Sequence, residues 1–149
     1  MGAAMTEGEA AVLKMLAGAR ALRAEGNMLV KQLAECDALI RAAGSAAREG
    51  GRTGAGHSAT GRQAAEQVLL WHKQRRREMM ERLRALREGE KQLGRLMEAL
   101  PSMQAMILRL RWHEGKRWTA VARAVYVSER QAQRLQRAAI ADMARRLGA

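Results

Sequence analysis

The sequence predicts an all-α protein, and three observations carry that expectation. Apolar residues make up 48% of the chain, yet aromatics are only 3% and Phe is absent. The apolar content is therefore Ala, Leu, Met and Val, which suit helices and the packing between them. The single proline, Pro101, leaves room for long uninterrupted helices on either side. Apolar positions also recur at spacings of three and four in both halves of the chain. At 149 residues the length suits one modest domain, or a small domain with helical arms.

The first helix is expected over residues 6–43. Thr6 can cap it, with Glu9 well placed in the first turn. Val12, Met15, Ala19, Leu22, Gly26, Leu29, Leu33, Cys36 and Ile40 form a heptad stripe of about four repeats, as a coiled-coil seam requires. Gly18 and Gly26 each remove roughly 1 kcal/mol of helix propensity. Residues 44–61 read as a flexible Gly/Ser-rich linker, since Gly44, Gly50, Gly51, Gly54, Gly56 and Gly61 fall within them. Such a linker lets the flanking helices fold back as an antiparallel pair or separate.

A second long, basic helix is expected over 62–100. Leu69, His72, Met79, Leu83, Leu86, Leu93, Met97 and Leu100 make its stripe, interrupted by Arg76 and Glu90. The breaks suggest imperfect pairing, or a register device within a dimer. Lys73, Arg75, Arg76 and Arg77 form a cationic run spread around the helix, and Glu78 and Glu81 are placed to pair with Arg75 and Arg77.

Residues 101–149 carry the most informative pattern. Pro101 suits a first helical turn, and Met103, Met106, Ile107 and Leu110 form an apolar side before Gly115 stops the helix. Trp118, Val121, Ala122 and Val125 mark a short helix. Ser128 then opens another, with Gln131 completing the pattern of a capping box. Ala132, Leu135, Ala139 and Met143 face its core. Two short helices, a tight connection and a basic second helix are the sequence form of a helix-turn-helix. Glu129, Arg130, Gln133 and Arg134, near the start of the last helix, are the candidates for DNA base edges. Lys116, Arg123 and Arg137 are the candidates for phosphates.

Leu100-Pro101, Leu108 to Trp112, Gly115, Trp118, Val121-Ala122 and Val127 to Arg130 resemble region 4 of bacterial sigma factors. The phrase from Ser128 to Ile140 is closer still to phage-encoded late transcription regulators of the ArpU and RinA type. The likeness covers about the last third of the chain. It departs from those families at Arg117, where a Ser or Thr cap is usual, and at Tyr126, where many members have Gly. The resemblance implies promoter recognition near a −35-like element, and contact with host RNA polymerase.

Charge agrees with a polyanion partner. The net +12 is uneven: residues 1–60 carry 7 Lys/Arg against 6 Asp/Glu, and residues 61–149 carry 20 against 9. Cys36 is the only cysteine, and His57, His72 and His113 share no metal-ligand spacing, so no metal and no cofactor is expected. No catalytic constellation is present and the chain is not expected to be an enzyme. No stretch has transmembrane length and none reads as a signal peptide, which leads to an expectation of no membrane and a cytoplasmic location in a bacterial host. Trp112 and Trp118 read as packing between the motif helices rather than stacking platforms, and Met at helical spacing as core filling. The function expected is a sequence-specific transcription regulator of double-stranded DNA, from a phage or prophage. The long helices would pair within the chain or make a homo-dimer that reads two half-sites. A DNA-packaging protein of small-terminase type, and a non-specific nucleic-acid or acidic-partner binder, are the alternatives.

Overall fold

The computed structural model describes residues 4–50 and 58–148, and every regular element in them is helical. α1 spans Glu7–Gly50 and α2 spans Ser58–Glu98. α3, Ser102–Leu108, runs into a turn of π-helix at Arg109–His113. α4, Trp118–Ala124, and α5, Glu129–Leu147, follow. The all-α expectation therefore holds. The chain divides into two compact units, Met1–Ala24 with Glu88–Ala149, and Glu25–Arg87.

The N-terminus of α1 forms as its sequence dictates: the Glu9 backbone N–H donates to Thr6 Oγ1 at 3.1 Å, and Glu7 and Glu9 sit in the first turn. Both long helices intrude into the expected linker. α1 continues through Gly44 to Gly50 and α2 begins at Ser58, so much of residues 44–61 is helical. Ala46, Ala47 and Arg48 are strong helix formers, and extending an existing helix gains a hydrogen bond for each residue fixed. Residues 51–57, the rest of that linker, lie outside the described residues.

The unit Glu25–Arg87 is an antiparallel helical pair. Leu29, Leu33 and Cys36 on α1 and Met79, Leu83 and Leu86 on α2 are buried. Arg76, which breaks the apolar stripe, reaches across to Asp37 at 2.6 Å, while Arg82 holds Glu25 through two hydrogen bonds of 2.8 and 3.0 Å. The Arg82 guanidinium keeps the Glu25 carboxyl below its usual range. These partners rise along α1 as they fall along α2, which fixes the direction of pairing. Cys36 Sγ donates to the His72 carbonyl at 3.2 Å, and the His72 Nδ1 is buried without a partner. The expected pairing of Glu78 and Glu81 with Arg75 and Arg77 does not form. Gln74 bridges instead, donating to Glu78 and accepting from Arg77, each at 3.2 Å.

In the other unit a core joins the first turns of α1 to the end of α2 and to α3 and α5. Val12, Leu16, Leu93, Leu96, Met97, Leu100, Leu108, Ala139, Ile140 and Met143 form it. Leu16, off the expected stripe, is fully buried there. A second cluster of Ile107, Leu110, Val121, Ala122 and Ala132 packs α3, the π turn, α4 and α5 together. Met103 and Met106, expected on the apolar side of α3, are instead 45% and 42% exposed. Ile107 and Leu110 of that side are buried as expected, and Leu108 joins them because the core lies on two sides of α3.

Candidate nucleic-acid interface

The connection between α4 and α5 is two capping motifs placed end to end. Val125 ends α4 and Tyr126 follows with φ of 58°, in the left-handed region. The Tyr126 N–H donates to the Arg123 carbonyl at 3.4 Å and the Val127 N–H to the Ala122 carbonyl at 3.1 Å. Together these make a Schellman motif, and Val127 packs into the cluster that contains Ala122, as that motif requires. Gly usually fills the left-handed position; here Tyr126 accepts it and leaves its ring 94% exposed. Ser128 comes next with extended backbone, and its Oγ accepts from the Gln131 N–H at 3.1 Å. Only that half of the capping box forms: no bond returns from the Gln131 side chain to the Ser128 N–H.

The start of α4 has no side-chain cap, since Arg117 stands in that position. Arg111 holds it instead. Its guanidinium lies over the rings of Trp112 and Trp118, at 5.6 and 5.2 Å from their centroids. Nη1 of the same group donates to the Lys116 carbonyl at 3.0 Å. Trp118 packs against the cluster between the motif helices and Trp112 against the larger core, in keeping with packing roles. Gly115, with φ of 70°, lets the chain turn from the π segment into α4.

α5 is positioned along its whole length. Ala132 enters one core and Ala139, Ile140 and Met143 the other. Gln136, which the sequence did not single out, accepts from the Trp112 Nε1–H at 3.0 Å and ties the helix to the π turn. Arg130, Arg134 and Arg137 follow one another at four and three residues, so they share a face, and all three are exposed. At 100° per residue that face lies opposite the buried stripe. Gln133 is half-buried beside it and Glu129 is exposed in the first turn. The helix therefore brings Arg130 and Arg134 together with Arg137, and sets Glu129 and Gln133 off to the side.

Arg123 is exposed on α4. Lys116 lies in the loop before it, with its ammonium 3.7 Å from Glu114. Among the described residues Arg117, Arg123, Arg130, Arg134 and Arg137 have no carboxylate within 4.0 Å. The end of α5 differs. Asp142 accepts from Arg145 at 2.9 Å and Arg146 at 3.3 Å, and these bonds, Arg145 first, hold its carboxyl below the usual range. Along α5 the unpaired guanidiniums therefore lie in the first half, and those at its end are paired. Among the described residues no His/Cys/Asp/Glu group could hold a metal ion, and no helix is long and apolar enough to cross a membrane.

Neither curated proteins nor solved structures match this chain. Residues 44–145 match the model of a family described as proteins of unknown function, DUF722. Because that match takes in the second long helix and nearly all of the α3–α5 unit, the chain belongs to the DUF722 family.

Proposed function

We propose that the protein is a sequence-specific DNA-binding transcription regulator of phage or prophage origin, which lays α5 in the major groove. One observation carries the reading. A two-helix unit with a tight capped turn presents Arg130, Arg134 and Arg137 on an exposed face, without carboxylate partners among the described residues. Guanidinium groups in that setting can donate in pairs to guanine O6 and N7, or to phosphate. Arg130 and Arg134, in the first and second turns of the helix, are assigned to base edges. Gln133 and Glu129 reach bases only toward one side. Arg137, Arg123 and Lys116 are assigned to phosphates, Lys116 exchanging its Glu114 contact for one. Promoter recognition beside host RNA polymerase follows from the likeness to sigma region 4.

A homo-dimer through the 25–87 pair completes the reading. Met28 precedes buried Leu29 and Leu39 precedes half-buried Ile40 on the α1 stripe, and Trp71 likewise precedes half-buried His72 on α2. Equal offsets on two antiparallel helices fall on the same face of the pair. Val68, one turn before Trp71, joins them, and all four side chains are 47–60% exposed. Such a face suits a second copy of the same pair packed as a four-helix bundle.

The reading is tested by titrating a cognate duplex and a scrambled duplex with the wild-type chain and with Arg134→Ala. A loss of about 1–3 kcal/mol on the cognate duplex only, with relaxed preference at one base pair, supports base readout. Equal losses on both would reduce Arg134 to a phosphate contact.

A further inference from the structure

We infer that a second set of phosphate contacts lies outside the α4–α5 motif: Arg20 and Arg23 of α1, with Arg109 of the π turn, form a cationic rim for a backbone phosphate of duplex DNA. The inference rests on the reading of α5 as DNA-facing, and extends the interface to a helix outside the motif.

The rim is built by packing. Val12 and Leu16 seat the first turns of α1 in the core shared with Ile140 and Met143, which fixes where the next turn projects. Arg20, on that turn, lays its guanidinium against Gly115. A Cβ placed on Gly115 would overlap Nη1 and come within 3.0 Å of Cζ. Gly115 leads directly to Lys116 and Arg117 at the start of α4. The first helix of a helix-turn-helix crosses the DNA backbone, so Arg20 stands beside the phosphate track. Arg23, three residues on, shares the Arg20 face of α1. Behind the effect of its burial, the charges of Arg23 and Arg109 both lower the pKa of the His113 imidazole.

Arg20, Arg23 and Arg109 are exposed, and none has a carboxylate within 4.0 Å among the described residues. Two acids lie nearby. The charge of Glu90 on α2 opposes those of Arg23 and Arg109 at His113, while Glu114 is taken by Lys116. The surplus is positive, and planar guanidinium forks match phosphate oxygens. Arg20 and Arg23 precede residue 44, where the family match begins, so the family model assigns them nothing.

The test measures affinity of the full-length chain for cognate and scrambled duplexes across a salt series, with Arg20→Gln, Arg23→Gln and the double variant. Each single change is expected to weaken both duplexes alike and lower the slope of log affinity against log salt by about 1. A lost contact of this kind removes roughly three- to fourfold of the affinity change between 50 and 200 mM salt. Arg20→Lys keeps the slope and the thermal midpoint stays in place. An unchanged slope in the double variant, while the wild-type chain binds, overturns the inference alone. A loss that tracks a fall in thermal midpoint and is not rescued by Lys also overturns it, leaving Arg20 a packing residue. A wild-type chain that binds no duplex overturns the DNA reading with it.

Discussion

Tyr126 holds a left-handed backbone in the turn that aims α5, and nothing but the turn requires it. An L-residue with a Cβ is disfavoured there by about 1–2 kcal/mol, part of which Gly would give back through its freer unfolded chain. Tyr126→Gly is therefore expected to stabilise the fold by roughly 0.5–1 kcal/mol, read as a shifted urea midpoint with an unchanged slope. Tyr126→Val should do the reverse. His113 gives a second residue-scale prediction. Its pKa is lowered by burial first, then by Arg23 and Arg109, with Glu90 opposing. The unfolded chain thus binds a proton more readily than the fold does. Stability contributed by neutral His113 is complete above the unfolded value, about 6.5, and falls as pH drops through the folded value. His113→Gln should flatten the acid side of a stability–pH profile, and the same slope in both chains would contradict the assignment. The Ser128 cap and the Ala132, Ala139 and Met143 stripe were legible in the sequence, because hydroxyl capping and helical period are local. Gln136, Arg20 and Arg23 were not. Their roles depend on which helix lies opposite, and spacing along the chain does not encode that. The Arg111–Trp112–Trp118 stack lay between: the residues are close in sequence, but the turn at Gly115 brings them together.

At the scale of elements, α1 and α2 show where composition misleads. Counting glycines marked residues 44–61 as a linker, yet glycines scattered among alanines lower helix propensity without ending a helix that is already propagating. The interruption at Arg76 was legible as a break, while its cause, Asp37 on the partner helix, was not. Glycine positions within α1 separate two situations that look alike in sequence. A Cβ on Gly26 would meet Leu83 Cδ1 at 3.9 Å, an ordinary contact, whereas one on Gly8 would press the Ala144 Cβ at 3.3 Å. Gly26→Ala is therefore expected to stabilise the protein by about 1 kcal/mol in thermal or chemical unfolding. Gly8→Ala, where α1 meets α5, should gain less or lose stability. Equal gains at both sites would show that the α1–α5 approach is looser than these distances require.

Over the whole molecule, the helix-turn-helix is one part of a larger compact unit that also takes in the first turns of α1 and the end of α2. The sequence marked residues 101–149 as the boundary because the motif's signals begin there, but Val12, Leu16, Leu93 and Leu96 supply part of the core under α5. This arrangement gives α1 two roles, an arm in the 25–87 pair and a brace for the helix assigned to DNA. The most direct test of that assignment is selection of bound sites from random duplex DNA at two salt concentrations. A recovered motif that survives the higher salt is the expected result, and a repeat with two-fold symmetry would report the dimer in the same experiment. Recovery without sequence preference, collapsing as salt rises, would contradict specific recognition by α5 and leave a polyanion binder.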